Sequence, residues 1–314
     1  MVHAEYSFVI PAYNDEKGIA RHLDFFSRRQ EALEVIVVDD CSTDDTEGVV
    51  ARFEMPNNIK LIYHKQDQNS GPAAARNLGA SLASGEYLTF IDADDMICDS
   101  FFFYIKSSVL KNGADFVIYK YHLAAHEDDP LTYEMHEVDR SFFSSIGSSR
   151  YPAGMFSLRE VPGVLKTVNF PWNKTYNRDF YVKSGICFPE ARYHEDIQPH
   201  WMSFLKSSYF GILGWAPPLV VHFESPEGER ATNYIGEMRL QLFPMLEDIS
   251  KEIQHHETNA ELYAAYDGFT EDVFSWLING LCRDESETSL FWKERYQAEI
   301  EVFKAKSQEW RREN

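Results

Sequence analysis

Two short apolar runs in the first hundred residues, each ended by carboxylates, constrain the fold most. Val35-Ile36-Val37-Val38 stops at Asp39-Asp40, and Tyr87-Leu88-Thr89-Phe90-Ile91 stops at Asp92-Ala93-Asp94-Asp95. Runs of β-branched and aromatic residues this short, bounded by polar residues, read as buried strands. In an open α/β sheet, ligands sit in the crevice beyond the carboxyl ends of the strands. Anions crowded there repel one another unless a cation or a hydrogen-bonding ligand shares the space. A divalent cation carrying a diphosphate meets that need.

The rest of the first third repeats the pattern. Strands are expected over 6–11, 34–39, 59–63, 87–92 and 115–121, with helices over 16–29, 44–53, 71–83 and 100–111. Alternating strands and helices predict a mostly parallel sheet flanked by helices, an α/β class, with right-handed crossovers. Residues 122–150 are polar and aperiodic, and a long loop is expected there. Further strands are expected over 169–177, 210–213 and 219–223, around a helix starting near Glu195. From Tyr234 onward apolar residues recur at helical spacing: Met238, Leu242, Met245, Leu246 and Ile249, then Leu262, Tyr266, Phe269, Val273, Leu277 and Leu281, then Phe291, Tyr296, Ile300 and Phe303. The expected organisation is one α/β domain over 1–232, with halves 1–125 and 126–232, and a C-terminal helical subdomain over 233–314. Packing and homo-oligomerisation are the first roles expected of those helices, with acceptor or membrane docking as the alternative.

Bulk numbers exclude several classes. A hydrophobic fraction of 44% and an aromatic fraction of 15% belong to an ordered globular chain. The net charge of −20 argues against a general nucleic-acid binder and against broad adhesion to anionic lipid. The segment 293–314 holds six basic and five acidic residues, so it is not a strong lipid-charge sensor. Cys41, Cys98, Cys187 and Cys282 are scattered without zinc spacing and are expected as reduced thiols. The N-terminus lacks a basic stretch followed by an apolar core, and the longest uncharged stretch, 207–221, is broken by Gly211, Gly214 and Pro217-Pro218. A cytoplasmic protein is expected, with the inner face of the plasma membrane as its closest approach to lipid.

Four motifs fall in order. The first strand runs into Pro11-Ala12-Tyr13-Asn14, and the second into Asp39-Asp40-Cys41-Ser42-Thr43-Asp44. Then come Asn69-Ser70-Gly71-Pro72-Ala73-Ala74-Ala75-Arg76-Asn77 and Asp92-Ala93-Asp94-Asp95. Gly71-Pro72 suits a helix start, whose free amides favour anions, while Ser42 and Asp44 are the better capping residues of the earlier turn. This order and spacing resemble the family 2 inverting glycosyltransferases, which have the Rossmann-like GT-A fold. The likeness is clear over about residues 5–125 and extends more weakly to about 235.

The resemblance implies roles. Pro11, Ala12, Tyr13 and Asn14 would hold the nucleobase and ribose, with Asp39 accepting hydrogen bonds from them and Asp40 at the pocket floor. Gly71 and Arg76 would face the nucleotide, the alternative for Arg76 being a surface salt bridge. Within Asp92-Ala93-Asp94 the first acid would contact the ribose and the last would hold Mg²⁺ or Mn²⁺ bridging the donor phosphates. Asp95 could take the place of Asp94. The pair Glu195-Asp196 resembles the family's acidic pair at a helix start, with Asp196 as the base and Glu195 in reserve. Favouring the helix N-terminus electrostatically is the other reading of that pair.

Pro171-Trp172-Asn173-Lys174 also resembles bacterial members, and Trp172 is either a sugar-stacking surface or a core residue. His222 is either a metal ligand or a hydrogen-bonded core histidine. Residues 225–232, with Glu229, Arg230 and Thr232, are expected as a loop able to close over the donor; His255-His256 reads as a solvated face.

The resemblance implies a metal-dependent inverting transfer from a nucleoside diphosphate sugar, with UDP expected, to a hydroxyl of a glycan or lipid-linked glycan. Rival readings are a sugar nucleotidyltransferase, which would need a Gly-rich basic turn after the first strand, and a noncatalytic glycan-binding subunit. A receiver domain would explain Asp39-Asp40 but not the segment around Arg76.

Overall fold

A computed structural model describes residues 4–126, 129, 132–146, 154–224, 234–256, 259–282 and 284–313. The donor half is laid down by β1 (Tyr6–Ala12), α1 (Glu16–Ser27), β2 (Leu33–Asp39), α2 (Thr46–Arg52), β3 (Ile59–Lys65), α3 (Pro72–Leu82) and β4 (Tyr87–Phe90). After it come β5 (Met96–Ile97), α4 (Phe101–Lys106), β6 (Phe116–Tyr119), β7 (Tyr121–Ala124), α5 (Glu137–Ile146) and β8 (Met155–Phe156). The remainder is β9 (Lys174–Asn177), α6 (Arg178–Lys183), α7 (Ile197–Lys206), β10 (Phe210–Leu213), β11 (Val220–Phe223), α8 (Leu242–Ile253), α9 (Asn259–Ser275) and α10 (Glu287–Glu313).

Eight strands form the main sheet in the order β3-β2-β1-β4-β9-β6-β10-β8. β1 pairs in parallel with both β2 and β4, while β9 enters antiparallel between β4 and β6. Strand order therefore reverses between β1 and β4, the place where such sheets open a crevice. Register brings the motifs together there: Ala12 lies opposite Asp39, and Val9 opposite Phe90.

Alternation along the strands sorts the two faces. Val9, Ile36 and Val38 share a core with Ala73 and Ala75 of α3, whereas Phe8, Ile10, Val35 and Val37 share one with Ile19 and Leu23 of α1. At Gly79 a Cβ would fall 2.2 Å from Val9 Cγ1, so α3 can lie this close to β1 only without a side chain there.

The structure departs from the expected elements in four places. The strand expected over 115–121 is cut at Lys120 into β6 and β7, and β7 joins β11 and β5 in a separate three-stranded sheet. The expected loop over 122–150 contains α5, which buries Phe143 and Asp139. The strand expected over 169–177 is a 3₁₀ turn, Pro171–Asn173, followed by β9. The C-terminal helices do not keep a core of their own. Trp201 of α7 packs on Tyr266 and Phe269 of α9 at 5.5 and 5.2 Å, and one core runs from Val9 and Phe90 through Trp201 to Tyr296 and Phe303. Among the described residues no helix is long and apolar enough to cross a membrane.

Candidate active site

A cavity of about 1330 Å³ opens beyond the carboxyl ends of β1 and β4. Pro11, Ala12, Tyr13, Asn14, Asp40, Gly71, Arg76, Asp92, Ala93 and Asp94 line it, and so do Glu195 and Asp196. Two of the expected binding residues, Asp39 and Trp172, do not.

Asp39 has no exposed surface. Its Oδ1 accepts from the Ser42 amide at 2.7 Å and its Oδ2 from the Tyr63 hydroxyl at 2.6 Å, so it shapes the turn after β2. Asp40 organises the opposite side of that turn. Its carboxylate accepts from the amides of Ser70 and Gly71 at 2.7 and 2.8 Å and from the Gln66 side chain at 2.7 Å. Those bonds fix Gly71 at φ +89°, which glycine adopts without penalty, just ahead of Pro72 at the start of α3. Asn14, at φ +52°, ties the first two turns together: its amide donates to Ser42 Oγ and its Oδ1 accepts from the Thr43 amide. Tyr13 is half exposed beside them.

The Asp92–Asp95 turn is held from below by α1, which the sequence did not single out. Arg21 donates to the carbonyls of Ala93 and Asp95 at 3.2 and 3.0 Å. His22 meets the Asp92 carbonyl at 3.1 Å through Nε2. Burial lowers His22 to about 4, so the ring is neutral and Nε2 donates. On this turn a carboxylate oxygen from each of Asp92, Asp94 and Asp95 lies within 4.8 Å of the others. Asp95 is buried, and its Oδ2 has no hydrogen-bond partner among the described residues. Burial and the charges of Asp92 and Asp94 push it up to about 7, against the pull of His222. An unpartnered buried oxygen among three hard carboxylates fits a divalent cation, which would satisfy it and relieve the repulsion.

His222 meets this group through Asp95, with Nδ1 at 2.7 Å from Oδ1. Burial works against its protonation but is outweighed by the bond to Asp95 and its charge, so the imidazole is raised. The converging donors are thus the three aspartates, with His222 holding Asp95 from behind. Trp172 is likewise a supporting residue. Its ring is 1% exposed, stacks on Phe170 at 4.4 Å and on His222 at 5.2 Å, and meets Tyr121 edge-on. The adjoining aromatic rings leave it no face for a sugar.

Arg76 joins the two halves. Its Nη2 donates to Asp92 Oδ1 at 2.6 Å and its Nη1 to Glu195 Oε1 at 3.1 Å, with the guanidinium over the Phe188 ring. Burial opposes its charge, but the two carboxylates outweigh burial and hold it protonated. Asn77, one residue on, clamps Phe188 by both its amide and its carbonyl. Glu195 is thereby tied to Asp92, and Asp196 follows at the first turn of α7.

Burial and the neighbouring Glu195 raise Asp196 to about 7, with Arg76 and Lys174 opposing. Lys174 is 1% exposed, donates to the Phe170 carbonyl and Asn173 Oδ1, and is pushed down to about 7 by burial, with Asp139 and Asp196 resisting. A carboxyl that changes charge near neutrality, placed in the same cavity as a cluster of three aspartates, suits proton uptake from a hydroxyl.

The remaining wall comes from the C-terminal half. Tyr193, His194, Arg239, Phe269, Asp272, Val273 and Trp276 line it. Phe269 and Val273 stand in the apolar stripe read from the sequence, and Asp272 and Trp276 flank it. The signal for Arg239 was a lone cation beside the stripe through Met238 and Leu242. Residues 225–232, expected as a closing loop, lie outside the described residues.

The sequence matches the family described as Glycosyl transferase family 2 over residues 7–183. It is 32% identical over 217 residues to poly(ribitol-phosphate) beta-N-acetylglucosaminyltransferase TarS of Staphylococcus aureus, covering 67% of this chain and 34% of TarS. The chain thus spans about a third of the length of that relative. In structure it resembles residues 1–349 of S. aureus TarS in complex with UDP-GlcNAc, with a TM-score of 0.73 at 21% identity over 93% of this chain and 79% of that piece. The mannosyltransferase PcManGT of Pyrobaculum calidifontis, in complex with GDP-Man and Mn²⁺, matches at a TM-score of 0.51 and 17% identity over 97% and 87% of the two chains. Both likenesses concern the fold, which is GT-A. With the family match extending from β1 to the end of α6, the chain belongs to glycosyl transferase family 2.

Proposed function

We propose that this chain is a metal-dependent, inverting glycosyltransferase that moves a sugar from a nucleoside diphosphate donor, with UDP as the nucleotide, to a hydroxyl of a glycan or glycolipid acceptor. Assembly of a bacterial polymer is the setting in keeping with the name of its relative, a poly(ribitol-phosphate) beta-N-acetylglucosaminyltransferase. The observation that carries the reading is the convergence of Asp92, Asp94 and Asp95 in one cavity with Asp196.

Asp94, with Asp92 or Asp95, would hold Mn²⁺ or Mg²⁺, and the cation would neutralise the diphosphate as it departs. The chain's own residues do the rest. Pro11 to Asn14 and Asp40 frame the nucleoside end of the cavity, and the N-terminus of α3, beyond the Gly71 turn that Asp40 holds, would favour the phosphates. Asp196 takes the proton of the acceptor hydroxyl as that oxygen attacks the anomeric carbon from the face opposite the diphosphate. The C–O bond to the diphosphate breaks as the new one forms, and inversion follows. Arg76 holds Asp92 and Glu195 in one frame, so donor and base keep a fixed relation.

Calorimetry tests the cation site. Mn²⁺ should tighten UDP binding about tenfold or more, and Asp94→Ala should remove that gain. If UDP binds equally well with and without Mn²⁺, the assignment of these carboxylates to a cation fails.

A further inference from the structure

We propose that Trp276, with Asp272 and Tyr193, forms a subsite for a pyranose ring of the acceptor, built by the C-terminal helices onto the family 2 sheet; the inference rests on the glycosyl-transfer reading above. An acceptor hydroxyl that gives its proton to Asp196 brings its own ring against the wall next to Asp196. That wall is formed by Tyr193 and His194, on the same turn, and by Trp276, whose ring lies 5.6 Å from His194, edge to face. With Trp172 buried, Trp276 is the tryptophan that lines the cavity among the described residues.

The rings are held in place. Arg239 is 2% exposed and lies over the Tyr193 ring at 4.4 Å and the Trp276 ring at 5.1 Å. Its Nε donates to the Tyr234 carbonyl at 3.0 Å, and its Nη1 lies 3.2 Å from His194 Nε2. Arginine only donates, so His194 accepts there and is neutral. Tyr234 stacks on Tyr193 at 4.7 Å with planes 6° apart.

Trp276 also begins a π-helical turn, Trp276–Leu281, a distortion that recurs at functional sites. Asp272 stands one helical turn before it, exposed and on the same cavity wall. A fixed indole beside an exposed carboxylate matches a pyranose, whose C–H face stacks and whose hydroxyls donate. A linear polyol offers the hydroxyls without that face.

Saturation-transfer NMR with methyl β-D-glucopyranoside, in the presence of UDP and diamagnetic Mg²⁺, tests the subsite. Ring-proton signals are expected from the wild type. Trp276→Ala should weaken the apparent affinity about tenfold, Trp276→Phe should restore part of it, and Asp272→Ala should weaken it without touching the core. UDP affinity measured on the same preparations should stay within about twofold, which excludes loss of fold. The subsite is overturned if the wild type gives no ring-proton signal or if Trp276→Ala binds as the wild type does. It is also overturned if ribitol 5-phosphate binds with the same dependence on Trp276. The glycosyl-transfer reading fails separately, if the wild type releases no UDP from any UDP-sugar.

Discussion

Replacing Arg76 by methionine strands two carboxylates at once. The guanidinium side chain is 6% exposed and bonds Asp92, 25% exposed, and Glu195, 15% exposed. Breaking a buried ion pair by removing one partner costs about 3–5 kcal/mol. Water already reaches both acids, so the low end, about 3 kcal/mol, is expected for Arg76→Met at pH 8. Urea unfolding with linear extrapolation measures it. Glu195→Gln in the same chain removes one stranded charge and should recover about 1 kcal/mol relative to additivity. Arg76→Lys should fall between wild type and Met, since one ammonium cannot span both acids as the planar fork does. A loss under about 1 kcal/mol for Arg76→Met, or strict additivity with Glu195→Gln, would refute the bridge as a structural tie between the halves.

Asp196 carries a pH signature. Its native carboxyl keeps a proton up to about 7, so kcat should climb as pH rises through that value, and Asp196→Asn should abolish the climb and cost at least about a hundredfold. The same carboxyl in the unfolded chain ionises near about 4. Between the two values the folded state binds more protons, so this group makes stability fall as pH rises; Asp196→Asn should flatten part of that fall in urea titrations. Gly79→Ala, although better for helix propensity, drives a methyl into Val9 and should destabilise by about 1–3 kcal/mol; a more stable variant would show that α3 can move away.

The donor half was legible because each of its signals is local. An apolar run that halts at Asp92, or a Gly-Pro that opens α3, reports the chain's direction and the sheet's rim without knowledge of the rest. Asp39 and Asp40 cannot be told apart for the same reason. Adjacent carboxylates look alike in a string, and only the fold puts the Tyr63 hydroxyl of β3 beside one of them. Trp172 and His222 are open between site and core in the sequence; their stacking on each other depends on the 3₁₀ turn before β9 meeting β11 of the three-stranded sheet, which no spacing encodes.

The supports at Arg21 and His22 were silent because both sit on an ordinary amphipathic helix. α5 is hard to read because its apolar residues, Val138, Phe142, Phe143 and Ile146, are short in span and set in a polar stretch. The C-terminal helices were readable as helices from their periodicity. Their service as a wall of the cavity was not, since it comes from their docking on α7.

That docking has a consequence for how relatives could come to prefer different acceptors. α7 starts at the base and presents Trp201 to Tyr266 and Phe269, so importing a foreign helical layer would tilt the element that carries Asp196. Whole-segment exchange is therefore a poor route to new specificity in this scaffold. Single changes on the cavity side of α9 and of the π-helical turn that follows it, at positions such as 272 and 276, leave the Trp201 contact untouched and are where diversification should accumulate.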